Sequence, residues 1–371
     1  MSYRVIQWAT GQVGMPALRG IIDHPDLELV GLLVTSEAKA GQDAGALCGG
    51  PTAGVAATRD RAAILALDAD CVSYAATDVG RVDAVIDDLC AILGSGKNVV
   101  NNSITRLVHP AAVEPEITTR LRAACERGGS TLFNTGIHPG VVSDAMLFAL
   151  TSLAGRIDSI SAAELLDCSC YDPVVIHALG FGKSVEQDAA EFDTAILHYY
   201  WGPVISALSE SFRLELDEIR VFRHVHTVDE AFTMSSGLEI RPGTIGAIHY
   251  GLEGVVDGRV RITAENYEKS RPEVHPEGWP MFPIHHDRPA GGYRILVRGQ
   301  PDMQLDLAFG GADPLVDVLA STGMAAVNSI PAVVAAAPGV LASFEDLPHL
   351  RGHMGQPRSA PRCSPRSPVA T

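Results

Sequence analysis

The sequence predicts an α/β protein with a doubly wound parallel sheet in its first half and, in its second half, an α+β domain built on a mostly antiparallel sheet. Two observations support this fold class. Up to about residue 150, short apolar runs alternate with helical patterns, which is typical of parallel strands covered by helices on both faces. From Ile157 onwards, strand-like runs follow one another around one long helix at 185–212, and Asp257-Gly258 between apolar arms predicts a hairpin.

A βαβ unit with glycines at its first crossover is predicted for residues 3–34. A strand at 3–9 leads into a glycine turn and a helix, and a second strand occupies 27–34. Gly11 permits a tight turn, Gly14 lets the backbone approach a pyrophosphate, and the N–H groups at the helix start face the negative charge. We therefore predict a Rossmann-type dinucleotide site at Thr10, Gly11, Gln12, Val13 and Gly14, with a purely structural turn as the alternative.

The composition is that of a soluble globular protein. The chain has 371 residues, 46% of them hydrophobic, and a mean hydropathy of +0.14, which suits two domains with a substantial core. The net charge of -16 argues against nucleic acid or an anionic membrane surface as partner. No run approaches the ~18 apolar residues of a spanning helix, and scattered cysteines favour reduced thiols. We expect a cytoplasmic protein whose partner is a small molecule.

The segment after the second strand, Thr35-Ser36-Glu37-Ala38-Lys39, bears on which dinucleotide is bound. In a Rossmann site this loop meets the adenosine ribose, where an acidic residue binds the 2′-OH of NAD(H) and basic or hydroxyl residues accept the 2′-phosphate of NADP(H). Thr35, Ser36 and Lys39 favour NADP(H) slightly, whereas Glu37 favours NAD(H). A plain solvated loop is the third interpretation.

The carboxyl ends of the parallel strands predict the rest of the site. Ligands of such sheets lie beyond those ends, where loops at 75–78, 101–103 and 134–138 should meet. We expect Ala76, Thr77 and Asn101 to contact the cofactor. His138 precedes a helix predicted for 141–153, and it is either a neutral hydrogen-bond donor to substrate or a structural cap of that turn.

Four segments are expected along the chain: a dinucleotide-binding domain at 1–150, an α+β domain at 151–312, C-terminal helices at 313–350 that pack back on the first domain, and a tail at 351–371. Pro331 is expected to break the C-terminal helices. The proline- and serine-rich tail predicts disorder. The stretch 272–289 predicts a covering loop, and its His285-His286-Asp287 is not expected to bind metal because adjacent side chains point apart.

Several motifs together resemble one family. They occupy 5–14, 41–45, 97–100 and 135–140 and read VIQWATGQVG, GQDAG, KNVV and TGIHPG. Taken jointly, they resemble the dihydrodipicolinate-reductase-like oxidoreductases, in particular the branch of 2,4-diaminopentanoate dehydrogenase and the native amine dehydrogenases, over residues 3–348. The resemblance implies a nicotinamide cofactor, a catalytic second domain, a homodimer, and reduction of an imine formed from a carbonyl compound and ammonia, or the reverse oxidation of an amine.

One departure from the family affects the chemistry. Amine dehydrogenases of this kind carry a glutamate just after the Asn-Val-Val strand, which holds the ammonia-derived nitrogen. Here residues 101–106 read NNSITR, and the next acid is Glu114. The resemblance therefore supports hydride transfer to or from a C=N or C=O carbon and leaves the choice between amine and carbonyl substrates open. A cofactor-binding sensor or structural protein without turnover is the alternative from another class.

Hydride transfer needs a polar group that polarises the C=N or C=O bond as charge moves onto the heteroatom. The candidates are Asn102, Ser103 and His138 from the first domain and Tyr171, His177 and His198 from the second. Each has an alternative as an ordinary packing or surface residue. We expect a neutral donor to act on the substrate, because the sequence identifies no carboxylate that would neutralise an iminium.

Overall fold

The computed structural model of the protein describes residues 2–286, 288–289, 291–311, 314–348 and 352–353. Its strands are β1 (Tyr3–Trp8), β2 (Leu27–Leu33), β3 (Ala57–Thr58), β4 (Cys71–Tyr74), β5 (Asn98–Asn101), β6 (Thr131–Asn134), β7 (Arg156–Asp167), β8 (Glu218–Thr227), β9 (Phe232–Thr233), β10 (Glu239–Ile240), β11 (Ile245–Val256), β12 (Arg259–Lys269), β13 (Ile284–His285), β14 (Arg288–Pro289), β15 (Gly292–Gln300), β16 (Met303–Ala308) and β17 (Gly339–Leu341). Its helices are α1 (Gly14–Asp23), α2 (Ala44–Leu47), α3 (Arg61–Ala66), α4 (Val82–Gly94), α5 (Pro115–Gly128), α6 (Leu147–Thr151), α7 (Pro173–Ala178), α8 (Val185–Glu191), α9 (Ala195–Ser211) and α10 (Pro314–Ala335). Asp287 and, apart from 352–353, the predicted tail at 351–371 lie outside the described residues.

The first sheet is parallel throughout, in the strand order β17-β6-β5-β4-β1-β2-β3. Helices α4 and α5 cover one face, where Ile6 and Val72 are buried, and α1 and α10 cover the other, where Val5 and Val100 are buried. Neighbouring residues of β1 thus face opposite core layers, because successive side chains of a strand alternate. This arrangement confirms the predicted doubly wound sheet.

The second sheet is mixed, in the order β16-β15-β7-β12-β11-β8, and its pairs are antiparallel except for β7 with β12. Helix α9 packs on the sheet and buries Leu197, Ile205 and Leu208. The predicted hairpin joins β11 to β12, where Asp257 and Gly258 have φ of 52° and 69°, as a tight two-residue turn requires. The fold class predicted for the second half is confirmed.

The proline-rich stretch after β12 lies on the outer face of the second sheet, which carries Ala163, Leu165, His249 and Tyr267. Phe282 packs against Ala163 and Leu165, and Trp279 contacts the edge of that cluster. The side chains of β7 that alternate with these point to the opposite face, toward the first domain.

Helix α10 runs unbroken from Pro314 to Ala335, so the break predicted at Pro331 is wrong. By length and hydropathy alone, its Leu315–Ala335 segment could cross a membrane, which the sequence analysis did not identify. Here the helix belongs to the core of the first domain, with Val327, Ile330 and Val333 fully buried between α1 and the sheet. That burial accounts for its apolar composition, and packing outweighs the cost of the internal proline.

Two other helices differ from their predictions. The helix expected at 185–212 is split into α8 and α9, because the backbone of Phe192 is extended (φ -76°, ψ 118°). Asp193 Oδ1 accepts a hydrogen bond from Ala195 N (2.9 Å) in the turn that follows. The helix expected at 141–153 is a wide π-type segment, Ile137–Met146, with non-helical His138, Pro139 and Gly140, and α6 follows it. The irregular backbone directs the His138 ring toward the second domain, where it meets α9 and β15.

Candidate functional site

The turn between β1 and α1 has the form of a phosphate-binding turn. Helix α1 begins at Gly14 without a side-chain cap. Met15 N already donates to Gly11 O (2.9 Å) and Pro16 has no N–H, so in the first turn the Gly14 N–H is left for an anion. A Cβ on Gly11 would meet no atom within 4 Å, whereas one on Gly14 would collide with Ala9 O. The role predicted for Gly14 therefore needs correction: this glycine permits close packing of helix on strand, while Gly11 leaves open space over the turn. Gln12 is exposed and Val13 half-buried beside it.

A lysine connects the loop after β2 to this turn. Lys39 Nζ donates hydrogen bonds to Thr10 O (2.9 Å) and Thr10 Oγ1 (3.1 Å). Thr35, Ser36 and Glu37 are exposed in the same loop. The structure thus brings a positive charge onto the glycine turn, and it leaves the Glu37 carboxylate at the solvent-exposed edge.

Polar residues after β4 and β5 tie the strand ends together. Asn101 is fully buried, its Nδ2 donates to Asn134 Oδ1, and its Oδ1 accepts a hydrogen bond from Ser103 N (3.1 Å). Ser103 Oγ donates to Ala76 O, and Thr77 is exposed. These hydrogen bonds connect the loops at the carboxyl ends of the parallel strands, and they use the Asn101 amide and the Ser103 hydroxyl.

Asn102 connects the first sheet to the last helix. Its Nδ2 donates to Thr135 O (2.7 Å) and Thr322 O (3.3 Å). Its Oδ1 is buried without a partner among the described residues. The side chain therefore holds the loop after β6 and helix α10 in place, and its free oxygen remains available to a ligand that donates a hydrogen bond.

His138 lies between the two domains. Its ring packs against Trp201, with 4.6 Å between ring centroids, and against Tyr293, at 5.7 Å. Burial lowers the pKa of His138 to about 3. The ring is therefore neutral at physiological pH. The hypothesis that His138 is a neutral hydrogen-bond donor requires this state, in which the ring can both donate and accept a hydrogen bond.

A cavity of ≈ 230 Å³ lies beside His138, between the loops of the first domain and the second sheet. Its polar lining residues include Glu164, Asn266, Glu268, Tyr171 and Tyr250, and α9 closes it with Trp201. The structure thus brings two sequence-predicted residues, His138 and Tyr171, to one place.

The two histidines predicted from the second domain do not line this cavity. His177 is exposed on α7, and its Nδ1 makes a hydrogen bond with Phe181 O (3.0 Å). His198 is exposed on α9. Neither side chain is placed to polarise a substrate that occupies the cavity.

Two glutamates lie on neighbouring strands of the cavity wall, diagonally to each other, because Glu268 stands opposite Leu166. Glu164 is on β7 and Glu268 on β12, which pair in parallel, with Asn266 opposite Glu164. Burial, reinforced by the charge of Glu268, raises the pKa of Glu164 to about 8, and burial raises the pKa of Glu268 to about 7. Glu268 Oε1 accepts a hydrogen bond from Tyr250 OH (2.7 Å). Such a pair holds a single negative charge near neutral pH, because two adjacent buried carboxylates do not both ionise.

Several buried polar atoms of this cavity lack hydrogen-bond partners within the part of the chain that the structure describes. They are Glu268 Oε2, Asn266 Nδ2, Thr105 Oγ1 and both ring nitrogens of His138. A buried polar group normally finds a partner. The convergence of donors and acceptors on one cavity therefore makes it the candidate ligand site.

Sequence reasoning missed both glutamates. Glu164 stands within an apolar run, Ile160 to Leu166, and Glu268 lies two residues after Asn266, so that both face the same side of β12. A charged residue within an otherwise buried strand is the signal that could have found them, because an unpaired buried charge is costly. The motif that begins at Lys97 gives no sign of the two glutamates, because both lie far from it in the chain.

The chemistry of the cavity is acidic and free of positive charge. No lysine or arginine stands among its described lining residues. Over the described ranges, no group of three or more histidine, cysteine, aspartate or glutamate residues has a geometry that could hold a metal ion. An ionised carboxylate beside neutral donors can bind a cationic nitrogen and exchange a proton with it.

Sequence comparisons identify relatives of this chain. The profile of the 2,4-diaminopentanoate dehydrogenase C-terminal domain family matches residues 141–362. An amine dehydrogenase of Streptomyces virginiae is 32% identical over 305 residues, which cover 81% of this chain and 84% of the relative. A 2,4-diaminopentanoate dehydrogenase of Acetoanaerobium sticklandii is 23% identical over 260 residues, covering 70% of this chain and 68% of the relative.

Solved structures share the fold. An amine dehydrogenase from Mycobacterium smegmatis superposes with a TM-score of 0.74 at 22% identity, over 96% of this chain and 98% of the other. An oxidoreductase from Agrobacterium radiobacter, solved in complex with NAD+, L-tartaric acid and magnesium, superposes with a TM-score of 0.52 at 12% identity, over 93% and 92%. At these identities the likeness concerns the arrangement of the two domains and not the substrate.

Proposed function

We propose that this chain, which belongs to the 2,4-diaminopentanoate dehydrogenase family, is an NAD(P)-dependent dehydrogenase that acts on the CH–NH2 group of a primary amine, or on the corresponding imine in the reverse direction. The observation that carries the amine assignment is the pair Glu164 and Glu268 in the interdomain cavity. The acid missing after β5 is thus replaced from the second sheet. Its absence therefore does not favour a sensor without turnover.

The cavity also limits the substrate. A substrate carboxylate or phosphate would be buried beside Glu164 and Glu268 without a positive partner, since no lysine or arginine stands among the described lining residues. An ammonium or iminium group, in contrast, pairs with the charge of the glutamates. We infer an amine without an anionic substituent, whose carbon chain lies against Leu166, Ile176 and Trp201.

The first domain fits a nicotinamide dinucleotide. The uncapped start of α1 and the open space at Gly11 suit its pyrophosphate. Lys39, held on Thr10, would pair with a 2′-phosphate, so we infer a preference for NADP(H); NAD(H) would be favoured if Glu37 binds the ribose hydroxyls. The cofactor supplies the acceptor or donor of the hydride.

The residues of the cavity transfer a proton and orient the substrate. The Glu268 carboxylate, fixed by the Tyr250 hydroxyl, accepts a proton from the substrate ammonium. The C–H bond of the resulting amine then breaks, its electron pair leaves as hydride, and a C=N bond forms. Asn266 Nδ2 and the neutral His138 ring offer hydrogen bonds that orient the substrate or the water that hydrolyses the iminium.

Steady-state kinetics on Glu268→Gln and Glu164→Gln test the proposal, with a panel of primary amines and of α-amino acids. We expect kcat/KM for the best amine to fall at least about 100-fold in Glu268→Gln and the amino acids to be poor substrates. Glu265→Gln is the matched control, because Glu265 lies on the same strand but on the outer face, paired with His249 (2.8 Å). Wild-type turnover in both cavity variants would overturn the assignment.

We further infer a cytoplasmic homodimer that binds neither nucleic acid nor membrane. The net charge of -16 supports the exclusion of polyanionic partners. The outer face of the second sheet carries stacked rings of His249 and Tyr267 and the exposed side chain of Met281, which a second copy would cover. Light scattering on the purified protein tests the stoichiometry, and a monomer at micromolar concentration would contradict it.

A further inference from the structure

A buried ion pair lies next to the carboxylate site. Arg223 of β8 donates to both carboxylate oxygens of Asp188 in α8, with Nη2 to Oδ1 at 3.0 Å. Arg223 Nη2 also donates to Leu179 O (2.6 Å), and its guanidinium lies over the Phe192 ring at 4.1 Å. Asp188 is 4% exposed. Enclosing two charges in this way is costly, and apolar residues would serve stability equally well.

A short chain of contacts connects this pair to Glu268. Arg223 stands opposite Tyr250 in the β8–β11 register, and Tyr250 OH donates to Glu268 Oε1 (2.7 Å). Leu179, whose carbonyl Arg223 binds, lines the cavity. The positive charge of Arg223 opposes the effect of burial on the pKa of Glu268, whereas the neighbouring charge of Glu268 adds to the effect of burial on the pKa of Glu164.

Among the described residues, the remaining titratable groups near the two glutamates supply no second positive charge. Glu164, Cys168, Tyr171, Tyr250 and His138 lie near Glu268, and Tyr293 lies beside Glu164. Burial raises the pKa of the Cys168 thiol and of the three tyrosine hydroxyls, so these groups stay protonated. Burial lowers the pKa of the His138 ring, so the ring stays neutral. Lys269, the next residue on β12, points to the other face, where Nζ donates to Pro272 O (3.0 Å).

We propose that Arg223, anchored by Asp188, is a positioning residue that places the negative charge of the carboxylate pair on Glu268 and leaves the proton on Glu164. The catalytic consequence rests on the proposed function. Glu268 Oε2 then receives the proton of the substrate ammonium, and protonated Glu164 acts as a hydrogen-bond donor. With the charge on the other carboxylate, the base would lose the hydrogen bond from Tyr250 that fixes it.

The double variant Asp188→Asn/Arg223→Gln tests this, because it removes both charges while keeping groups that can hydrogen-bond. Arg223→Lys is the charge-retaining control. Carboxyl protonation is followed in the substrate-free protein by infrared titration of the C=O band, and Glu268→Gln identifies the band of Glu268. We expect the midpoint for Glu268 to rise by about one pH unit in the double variant and to stay near the wild-type value in Arg223→Lys.

The pH profile of kcat/KM for amine oxidation is the second measurement, and its acidic limb should move by the same amount. An unshifted infrared midpoint in a folded double variant would overturn the inference. If Asp188→Asn/Arg223→Gln does not fold, the same titration is made on Asp188→Leu/Arg223→Met. A shifted midpoint in a protein that oxidises no amine would refute the proposed function and still support the charge placement. A change in melting temperature alone, with no shift in either midpoint, would show that the ion pair is merely structural.

Discussion

Gly11 and Gly14 belong to one turn, but their surroundings predict different effects of a side chain. A Cβ at Gly11 meets open space, and one at Gly14 collides with Ala9 O. We expect Gly11→Val to keep the wild-type melting temperature and to lose cofactor binding, because the valine fills the space over the start of α1. Gly14→Val should also lower the melting temperature through overpacking. Calorimetry of unfolding and of NADPH binding measures both, and normal NADPH affinity in Gly11→Val would place the cofactor elsewhere.

The ribose loop gives the second prediction at the level of single residues. If Lys39 pairs with a 2′-phosphate, Lys39→Ala should weaken NADPH binding by about 1–3 kcal/mol through loss of a charge-assisted hydrogen bond. NADH binding should change little. Glu37→Ala is the matched control, since Glu37 is exposed in the same loop. Preferential loss of NADH affinity in Glu37→Ala would instead show NAD(H) specificity. Unchanged affinities in both variants would mean that the loop contacts solvent and not the cofactor.

The sequence indicates the cofactor side of the site better than the substrate side. Gly11 and Lys39 belong to a local βαβ pattern, in which position along the chain fixes position in space. Glu164 and Glu268 are far apart in the chain and meet because β7 and β12 pair in parallel. No local pattern encodes that register. Residue types alone therefore could not predict that the two carboxylates lie in one cavity.

Among the elements, the crossing of α1 and α10 supports the glycine turn. A Cβ at Gly323 of α10 would lie 2.8 Å from Val13 O and 3.3 Å from Ala17 Cβ. We expect Gly323→Ala to lower the free energy of unfolding by about 1–3 kcal/mol, despite the better helix propensity of alanine. It should also weaken NADPH binding, because Val13 is part of the turn. Urea unfolding and NADPH titration measure the two effects.

Gly155→Ala is the control for this crossing. Its Cβ would lie 3.6 Å from Gln300 O, an ordinary contact, so both measurements should stay close to the wild-type values. Equal behaviour of the two variants would mean that the helices have room to separate at Gly323.

The type of each long element was predictable, while its ends followed from packing. Pro331 predicted a break by a local rule, but burial of Val327, Ile330 and Val333 on one helix outweighs that rule. Before α9 the local contribution is larger, because Phe192 is extended and Asp193 Oδ1 accepts a hydrogen bond from Ala195 N in the turn between the two helices. Helix ends thus depend on which of the two contributions is larger at each site.

At the scale of the whole molecule, the proposed substrate cavity exists because two domains meet. Thr105 and His138 come from the loops of the parallel sheet, and Glu164 and Glu268 come from the second sheet. The fold class could be predicted from the alternation of elements, but the cavity depends on how the domains face each other. Burying two carboxyl groups at that contact links the stability of the whole fold to pH.

The sign of this linkage follows from the pKa values. Burial raises the pKa of Glu164 to about 8 and of Glu268 to about 7 in the folded protein, whereas both are near 4.3 in an unfolded chain. At pH values between the unfolded and the folded pKa, the folded state therefore binds more protons than the unfolded chain. Its stability is greatest below the unfolded pKa and decreases as the pH rises through the folded pKa. His138, with its lowered pKa, contributes in the opposite direction below its ordinary value of 6.5.

A variant without the two carboxyl groups isolates their effect, because His138 contributes equally to both proteins. We expect the free energy of unfolding of Glu164→Gln/Glu268→Gln to rise relative to wild type as the pH increases from 5 to 8, by up to about 1.4 kcal/mol per pH unit for each carboxyl. Urea unfolding at several pH values gives the difference directly. Glu265→Gln should show no such rise in this range, because hydrogen bonds from His249 and Ser161 outweigh burial and lower the pKa of Glu265, so that its contribution changes only at pH values below those tested. Parallel pH profiles for wild type and the double variant would mean that neither glutamate is protonated in the folded protein.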